Sequence, residues 1–126
     1  MQNSCTLNRV AVVDDDQSVC TSLRRLLYAH GYFAETFTSA ADFMRSGAIR
    51  YTHCLLLDFH LGDATGLDLL RETAAAGYHR PTIFMTGSGE EEIRKRCFDS
   101  GCLALLEKPI KVSKLLDALT IAFRPS

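Results

Sequence analysis

The sequence predicts an α/β fold in which five β-strands form one parallel sheet with helices on both faces. Short runs such as residues 10–13, 54–57 and 103–106 are continuously apolar, as expected of strands buried on both sides. Segments with apolar residues at helical spacing separate these runs. Such alternation of strand and helix requires right-handed crossovers and gives a doubly wound sheet.

The first two strand–helix units are marked by their turn residues. Apolar residues at helical spacing follow the first strand, residues 10–13, as far as Gly31, which can close the helix in a left-handed conformation. Residues 32–37 form the second predicted strand. Ser39 and Asp42 then have the spacing of a capping box, which predicts the start of a short second helix.

The third unit is bounded by an equally clear cap. Residues 54–57 form the third strand, and Thr65 with Asp68 predicts the start of a helix that continues to Gly77. Pro81 precedes the fourth strand.

The last two units complete the pattern. A fourth helix is predicted over residues 90–100 and ends at Gly101, and residues 103–106 form the fifth strand. Ser113 is the predicted N-cap of the last helix, whose apolar face carries Leu115, Leu116, Leu119 and Phe123.

Composition excludes several classes of protein. The 126 residues suit a single domain, and 14 basic against 15 acidic residues give a net charge of −1. We expect no direct nucleic-acid binding, because contact with phosphates needs clustered Lys and Arg. No apolar run reaches the roughly 18 residues that span a membrane, and residues 1–9 lack the core of a signal peptide. We therefore expect a cytoplasmic domain without membrane contact.

The cysteines indicate reduced thiols. Their number is odd, and neither a CxxC pair nor a histidine at metal-ligand spacing accompanies them, which argues against disulfides and zinc. Cys54 lies in an apolar strand and is expected in the core. The set is Cys5, Cys20, Cys54, Cys97 and Cys102.

Four predicted strands end in polar residues, which the parallel sheet should bring to one edge. These residues are Asp14, Asp15 and Asp16 after the first strand, Asp58 after the third, Thr86 after the fourth and Lys108 after the fifth. Carboxylates in one pocket repel one another unless a cation lies between them. Lysine and threonine beside that cation suit an anion, most simply a phosphoryl group.

Each of these residues also has a simpler interpretation. One aspartate could cap a helix, but three of them together with Asp58 favour a metal site, and oxygen ligands suit Mg²⁺. Lys108 could be an ordinary ion-pair partner and Thr86 a cap at a strand end. Binding roles are favoured because both follow strands that end at the same pocket.

Four motifs in order resemble the receiver domain of bacterial two-component response regulators. They are VAVVDDD, LLLDFHLGDATGLDLL, FMTGSG and LALLEKP, and the resemblance covers about residues 7–123. It implies one receiver domain over residues 1–126 with a flavodoxin-like (βα)5 fold and strand order 2-1-3-4-5. TFTSAADF, TGSGE and EKP further resemble the FixJ/NarL (LuxR-type) sub-family, whose receivers usually precede a DNA-binding domain; any such domain lies outside these residues.

The resemblance assigns a role to each pocket residue. It implies that Asp58 accepts a phosphoryl group from a histidine kinase or a phosphotransfer protein. Mg²⁺ would be held by Asp14, Asp15 and Asp58 and by the backbone carbonyl of His60, whereas Asp16 falls outside the ligand set. The side chain of His60 receives no catalytic role.

The remaining residues carried over by the resemblance bind the phosphoryl group. Lys108 would pair with one phosphoryl oxygen, and the Thr86 hydroxyl would donate to another. Pro109 would follow a cis peptide bond that directs Lys108 inward.

Two positions depart from the pattern of the family. Receivers commonly carry an aromatic residue three positions before the lysine, where this chain has Leu105. A leucine lacks the ring that usually reorients together with the threonine. Gly62 stands where proline is usual, which should loosen the loop after Asp58.

The resemblance places the output surface on the fourth helix, fifth strand and fifth helix. This face would switch on phosphorylation and bind a twin copy, forming a homodimer, or an output domain that controls transcription. Its predicted members are Ile93, Arg94, Cys97, Leu105 and Lys111. The charges over residues 90–96 could equally be a solvated helix surface.

Two other functions remain open from the sequence. Asp14-x-Asp16 followed by Ser18 resembles the nucleophile motif of haloacid-dehalogenase-type phosphatases, although only Asp117 follows Lys108 as an acidic residue. Leu105 and Gly62 would also fit a degenerate receiver that binds proteins constitutively.

Overall fold

The computed structural model describes residues 8–124 and contains the predicted parallel sheet. Its strands are β1 (Asn8–Val13), β2 (Tyr32–Phe37), β3 (Cys54–Asp58), β4 (Thr82–Thr86) and β5 (Ala104–Glu107). They are hydrogen-bonded in the order β2-β1-β3-β4-β5, and every pairing is parallel. The predicted fold class and strand order are confirmed. Cys5 lies outside the described residues.

Five α-helices connect the strands and cover both faces of the sheet. They are α1 (Gln17–Ala29), α2 (Ala40–Ser46), α3 (Gly66–Ala75), α4 (Glu91–Asp99) and α5 (Val112–Ala122). A 3₁₀ turn, Ala48–Arg50, follows α2. Among the described residues, no helix combines the length and the apolar character needed to cross a membrane.

The core has two halves because alternate residues of each strand point to opposite faces. Val10 and Val12 pack with buried residues of α1 and α5 on one face. Ala11 and Val13 pack with buried residues of α2, α3 and α4 on the other. Both faces of the central strands are therefore covered, which explains why their sequences lack polar alternation.

Side-chain caps fix the starts of three helices. Asp16 caps α1, and the Ser39 hydroxyl accepts the Asp42 N–H of α2 at 3.0 Å. Thr65 and Asp68 form a reciprocal capping box at α3, with both hydrogen bonds at 3.0 Å. Each of these starts follows from the short-range chemistry of a cap.

The predicted cap of α5 is wrong. The N-cap is Lys111, which makes no side-chain capping bond, and Ser113 lies inside the first turn of the helix. The backbone of Lys111 is extended, and the helix begins directly after it, two residues earlier than a cap at Ser113 indicates.

The loop after Asp58 folds into a small hairpin. His60–Leu61 and Ala64–Thr65 pair in antiparallel fashion, with Gly62 and Asp63 at the turn. Gly62 has φ +68°, a conformation that glycine adopts without strain in two-residue hairpins. The structure therefore shows a tight turn that needs glycine, instead of the looser loop expected from the missing proline.

Candidate functional site

Carboxylates from two neighbouring strands meet at the carboxyl edge of the sheet. The parallel register pairs Val13 with Leu57, so the residues that follow them, Asp14 and Asp58, lie side by side. Asp14 is fully buried and Asp58 is 5% exposed, whereas Asp15 is exposed. Oxygen atoms of Asp14, Asp15 and Asp58 lie within 4.8 Å of one another.

Backbone N–H groups hold the two buried carboxylates in place. Asp14 accepts a hydrogen bond from the Asp16 N–H at 2.9 Å. Asp58 accepts one from the His60 N–H at 3.2 Å. Each carboxylate is thus oriented by the turn that follows its own strand, which leaves its second oxygen for other partners.

Lys108 provides that partner. Its Nζ lies 2.8 Å from Asp14 Oδ2 and 3.2 Å from Asp58 Oδ2, although it is 94 and 50 residues away in sequence. The Lys108 N–H donates to the Thr86 carbonyl at 2.8 Å, and a cis peptide bond to Pro109 follows. One ammonium group at the end of β5 therefore bridges two buried carboxylates at the ends of β1 and β3.

The electrostatics of the pocket favour an additional cation. Burial raises the pKa of Asp58, and the nearby charge of Asp14 raises it further against the opposing effect of Lys108. Burial lowers the pKa of Lys108, but its hydrogen bonds and attraction to Asp14 and Asp58 outweigh burial and leave the pKa raised. Even with Lys108 beside it, the pKa of Asp58 stays above the usual range of a carboxylate, so a further cation in this pocket would be electrostatically favourable.

The donor set fits Mg²⁺. Three carboxylates that offer oxygen atoms within 4.8 Å, one of them open to solvent, suit a hard divalent ion that keeps several of its waters. Asp16 is not part of this cluster. Its carboxylate accepts from the Ser18 N–H at 2.9 Å and the Ser18 hydroxyl at 2.7 Å, and these bonds lower its pKa.

Thr86 occupies the end of β4 beside this cluster. The residue is fully buried, and its hydroxyl donates to the Ser88 carbonyl at 3.2 Å and accepts from the Ser88 N–H at 3.1 Å. These local bonds hold the hydroxyl at the strand end. Ser88 was not predicted from the sequence to belong to the site. The available signal was Thr86 two positions earlier, because a threonine hydroxyl often accepts the backbone N–H of the residue two positions later in a turn.

The predicted output face is only partly exposed. Arg94 and Lys111 are accessible, and Arg94 lies 3.7 Å from Glu107. Ile93 is 7% exposed and Cys97 is fully buried, so their placement on the surface was wrong. Helical periodicity turns these two side chains toward the sheet, where they pack in the core formed by α2, α3 and α4.

Two further residues near the site carry no short-range sequence signal. Phe59, directly after Asp58, is 2% exposed, and its ring lies edge-on to the exposed His60 at a centroid distance of 5.1 Å. The guanidinium of Arg96 lies 5.6 Å from the centroid of the same ring. This contact joins residues 37 positions apart and depends on how α4 packs against the sheet.

The whole arrangement matches a known family. The sequence profile of the response regulator receiver domain matches residues 10–120. The chain belongs to this family. Receiver domains are signalling domains of two-component systems that bind Mg²⁺ at this acidic pocket and are phosphorylated by histidine kinases.

Its relatives are FixJ-type response regulators. The chain is 37% identical over 113 residues to nodulation protein W of Bradyrhizobium diazoefficiens, covering 90% of this chain and 50% of that protein. It is 34% identical over 110 residues to transcriptional regulatory protein FixJ of Azorhizobium caulinodans, covering 87% and 52%. The chain thus spans about half the length of these relatives, and the predicted sub-family is confirmed.

Solved structures share the same receiver fold. A CheY-like receiver domain from Methanospirillum hungatei superposes with a TM-score of 0.82 at 25% identity, covering 92% of this chain and 93% of the other. The response regulator StyR superposes with a TM-score of 0.81 at 34% identity, covering 90% and 58%.

Proposed function

We propose that this receiver accepts a phosphoryl group on Asp58 and thereby controls an output in transcription. One observation carries the proposal: Lys108 Nζ bridges Asp14 and the acceptor carboxylate of Asp58, within the cluster that also includes Asp15. A buried carboxylate next to a cation and an acidic ligand set is suited to receiving a transferring phosphoryl group.

The chemistry is a transfer between two residues. An oxygen of Asp58 attacks the phosphorus of a phosphohistidine on the kinase or phosphotransfer protein. A P–O bond forms as the P–N bond breaks, and the departing imidazole takes up a proton from solvent. Lys108 lies where it can exchange its contact with Asp58 for one with a phosphoryl oxygen, and Thr86 at the neighbouring strand end would donate to another.

Asp14, Asp15 and Asp58, with the backbone carbonyl of His60, would hold Mg²⁺. The bound ion would neutralise charge on the incoming phosphoryl group. Asp14 and Asp58 are fixed by backbone N–H groups before any ligand arrives, so the protein provides a largely preorganised site. The exposed Asp15 leaves the site accessible to a hydrated ion.

The output would follow from a shift between two states of the face formed by α4, β5 and α5. A phosphorylated side chain carries close to two negative charges, which changes the partners available to Lys108 and Thr86. The partly exposed Arg94 and the exposed Lys111 would contact a second copy or an output domain on this face. The names of the relatives, among them a transcriptional regulatory protein, support transcription as the process controlled.

The test is intact mass after incubation with a small-molecule phosphodonor, with and without Mg²⁺. We expect one base-labile phosphoryl adduct in the wild type, dependent on Mg²⁺ and absent from Asp58→Asn. Asp16→Asn is the matched control, because Asp16 caps α1 and asparagine caps a helix equally well. That variant should be phosphorylated like the wild type.

The same experiment separates the two alternative functions. A phosphatase of the haloacid-dehalogenase type would carry phosphate on Asp14 and would retain the adduct in Asp58→Asn. The capping bonds of Asp16 and the exposed position of Asp117 on α5 favour the receiver. A folded protein without any adduct would instead be a constitutive binding module.

A further inference from the structure

Phe59 is tied to the backbone around the proposed phosphoacceptor. It follows Asp58 directly, and its N–H donates to the Met85 carbonyl of β4 at 2.8 Å. Its carbonyl accepts from the Gly66 N–H at the start of α3, also at 2.8 Å. The ring is 2% exposed and lies edge-on to Phe84 at a centroid distance of 6.5 Å. Phe59 therefore cannot shift without changing β4 and α3.

The start of α3 is packed directly against the same backbone. A Cβ added to Gly66 would lie 2.5 Å from the Asp58 carbonyl oxygen and 3.2 Å from the Phe84 ring. The sequence thus has a glycine where the helix touches the acceptor residue. A movement of the Asp58 backbone would be transmitted to Phe59 and to α3, because the start of α3 packs directly against this backbone and is hydrogen-bonded to Phe59.

Arg96 connects this junction to α4. Its guanidinium lies 5.6 Å from the centroid of the Phe59 ring, within the range of a cation–π interaction. No carboxylate of the described residues lies within 4.0 Å of Arg96. Arg96 also lines the groove between α3 and α4, together with Leu67, Leu70 and Arg71. Arg96 is thus a charged α4 side chain that lies over the ring of Phe59, the residue following the proposed phosphoacceptor.

This contact lies apart from the pair of residues usually associated with switching. Leu105 is aliphatic and half-buried, so it has no ring to reorient when Thr86 moves. Phe59 supplies an aromatic ring on the α4 side of the pocket instead. A route through Phe59 requires no aromatic residue on β5.

We propose that Arg96 is a positioning residue that couples the phosphorylation state of Asp58 to α4 through the ring of Phe59. The inference rests on the proposed function and deepens it. In this proposal the contact stabilises the unphosphorylated arrangement of α4, and phosphorylation of Asp58 weakens it. Losing an exposed cation–π contact should shift the ratio of the two states by about two- to five-fold toward the phosphorylated arrangement.

The experiment is ¹H–¹⁵N NMR of the α4 amides, with and without Mg²⁺ and the phosphoryl analogue beryllofluoride. We expect Arg96→Gln to move the α4 resonances of the free protein along the line toward their beryllofluoride-bound positions. Arg96→Lys should restore part of the wild-type position, because it keeps the cation. Lys95→Gln is the matched control, since it removes an exposed cation paired with Asp99 on the same helix.

A second variant tests the role of the ring. In the background of Phe59→Leu, which keeps an apolar side chain at the buried position, Arg96→Gln should have no further effect on α4. The proposal is overturned if Arg96→Gln leaves the α4 resonances in place, moves them no more than Lys95→Gln, or acts equally in both backgrounds. In these cases an intact Mg²⁺-dependent response of Asp58 would leave the proposed function standing. If the wild type shows no response to Mg²⁺ and beryllofluoride, both the proposed function and the role of Arg96 are overturned.

Discussion

At the scale of single residues, the buried pair of carboxylates makes Asp58 costly for the fold. Burial and Asp14 raise its pKa, so the folded protein binds the proton more tightly than the unfolded chain does. Below the unfolded pKa this difference costs nothing. As pH rises from there through the folded pKa, the free energy of unfolding falls. The proposed acceptor residue thus lowers the stability of the fold, as is common at functional sites.

We therefore expect Asp58→Asn to stabilise the metal-free protein at pH 7 and to change its stability very little near pH 3, where Asp58 is protonated in both the folded and the unfolded state. The measurement is urea unfolding in EDTA across this pH range. Asp15→Asn is the control, because Asp15 is exposed and its removal should leave stability nearly unchanged. A variant less stable than the wild type at pH 7 would contradict the argument.

At the scale of elements, helix starts follow from caps where a side chain makes the capping bond. The capping box of Thr65 and Asp68 should make Thr65→Ala lose about 1 kcal/mol of unfolding free energy. Ser113→Ala should lose less than about 0.5 kcal/mol, because Ser113 is exposed inside the first turn of α5 and caps nothing. Urea midpoints of the two variants check this, and equal losses would show that the box is not formed.

The hairpin after Asp58 predicts that the proline usual in the family at position 62 would destabilise this chain. Proline is usual at position 62, yet φ +68° at Gly62 is inaccessible to proline, whose φ lies near −65°. Gly62→Pro should therefore lose more than about 1 kcal/mol of stability, with Gly62→Ala also destabilised by the positive φ. Gly87→Ala is the control, since its Cβ would meet open space and its φ is not positive. Thermal unfolding of the three variants should show the control closest to the wild type.

At the scale of the molecule, the sequence predicts what depends on local chemistry. Apolar runs predicted the strands, and both ends of β2 were predicted correctly. The polar residues that follow the strands predicted the set of pocket residues. The bridging position of Lys108 depends on the register of four strands, β1, β3, β4 and β5, and the contact of Arg96 with Phe59 depends on how α4 packs. Neither distance is encoded in a short segment, so only the folded chain reveals it.

The pocket also links metal binding to the stability of the whole domain. An ion that binds only the folded state adds RT ln(1 + [L]/Kd), so a ten-fold excess over Kd contributes about 1.4 kcal/mol. We expect Mg²⁺ to raise the thermal midpoint of the wild type and of Asp16→Asn, since Asp16 caps α1.

The increment should be largely lost in Asp15→Asn, which replaces an exposed, charged carboxylate ligand with a neutral amide and does not disturb the core. Thermal scans with Mg²⁺ or EDTA, at matched ionic strength, separate this effect from general screening of the acidic cluster. Equal increments in the wild type and Asp15→Asn would mean that the ion binds away from this pocket. A domain of this size should unfold in one cooperative transition. Binding of Mg²⁺ at this one pocket should therefore shift the thermal midpoint of the whole domain.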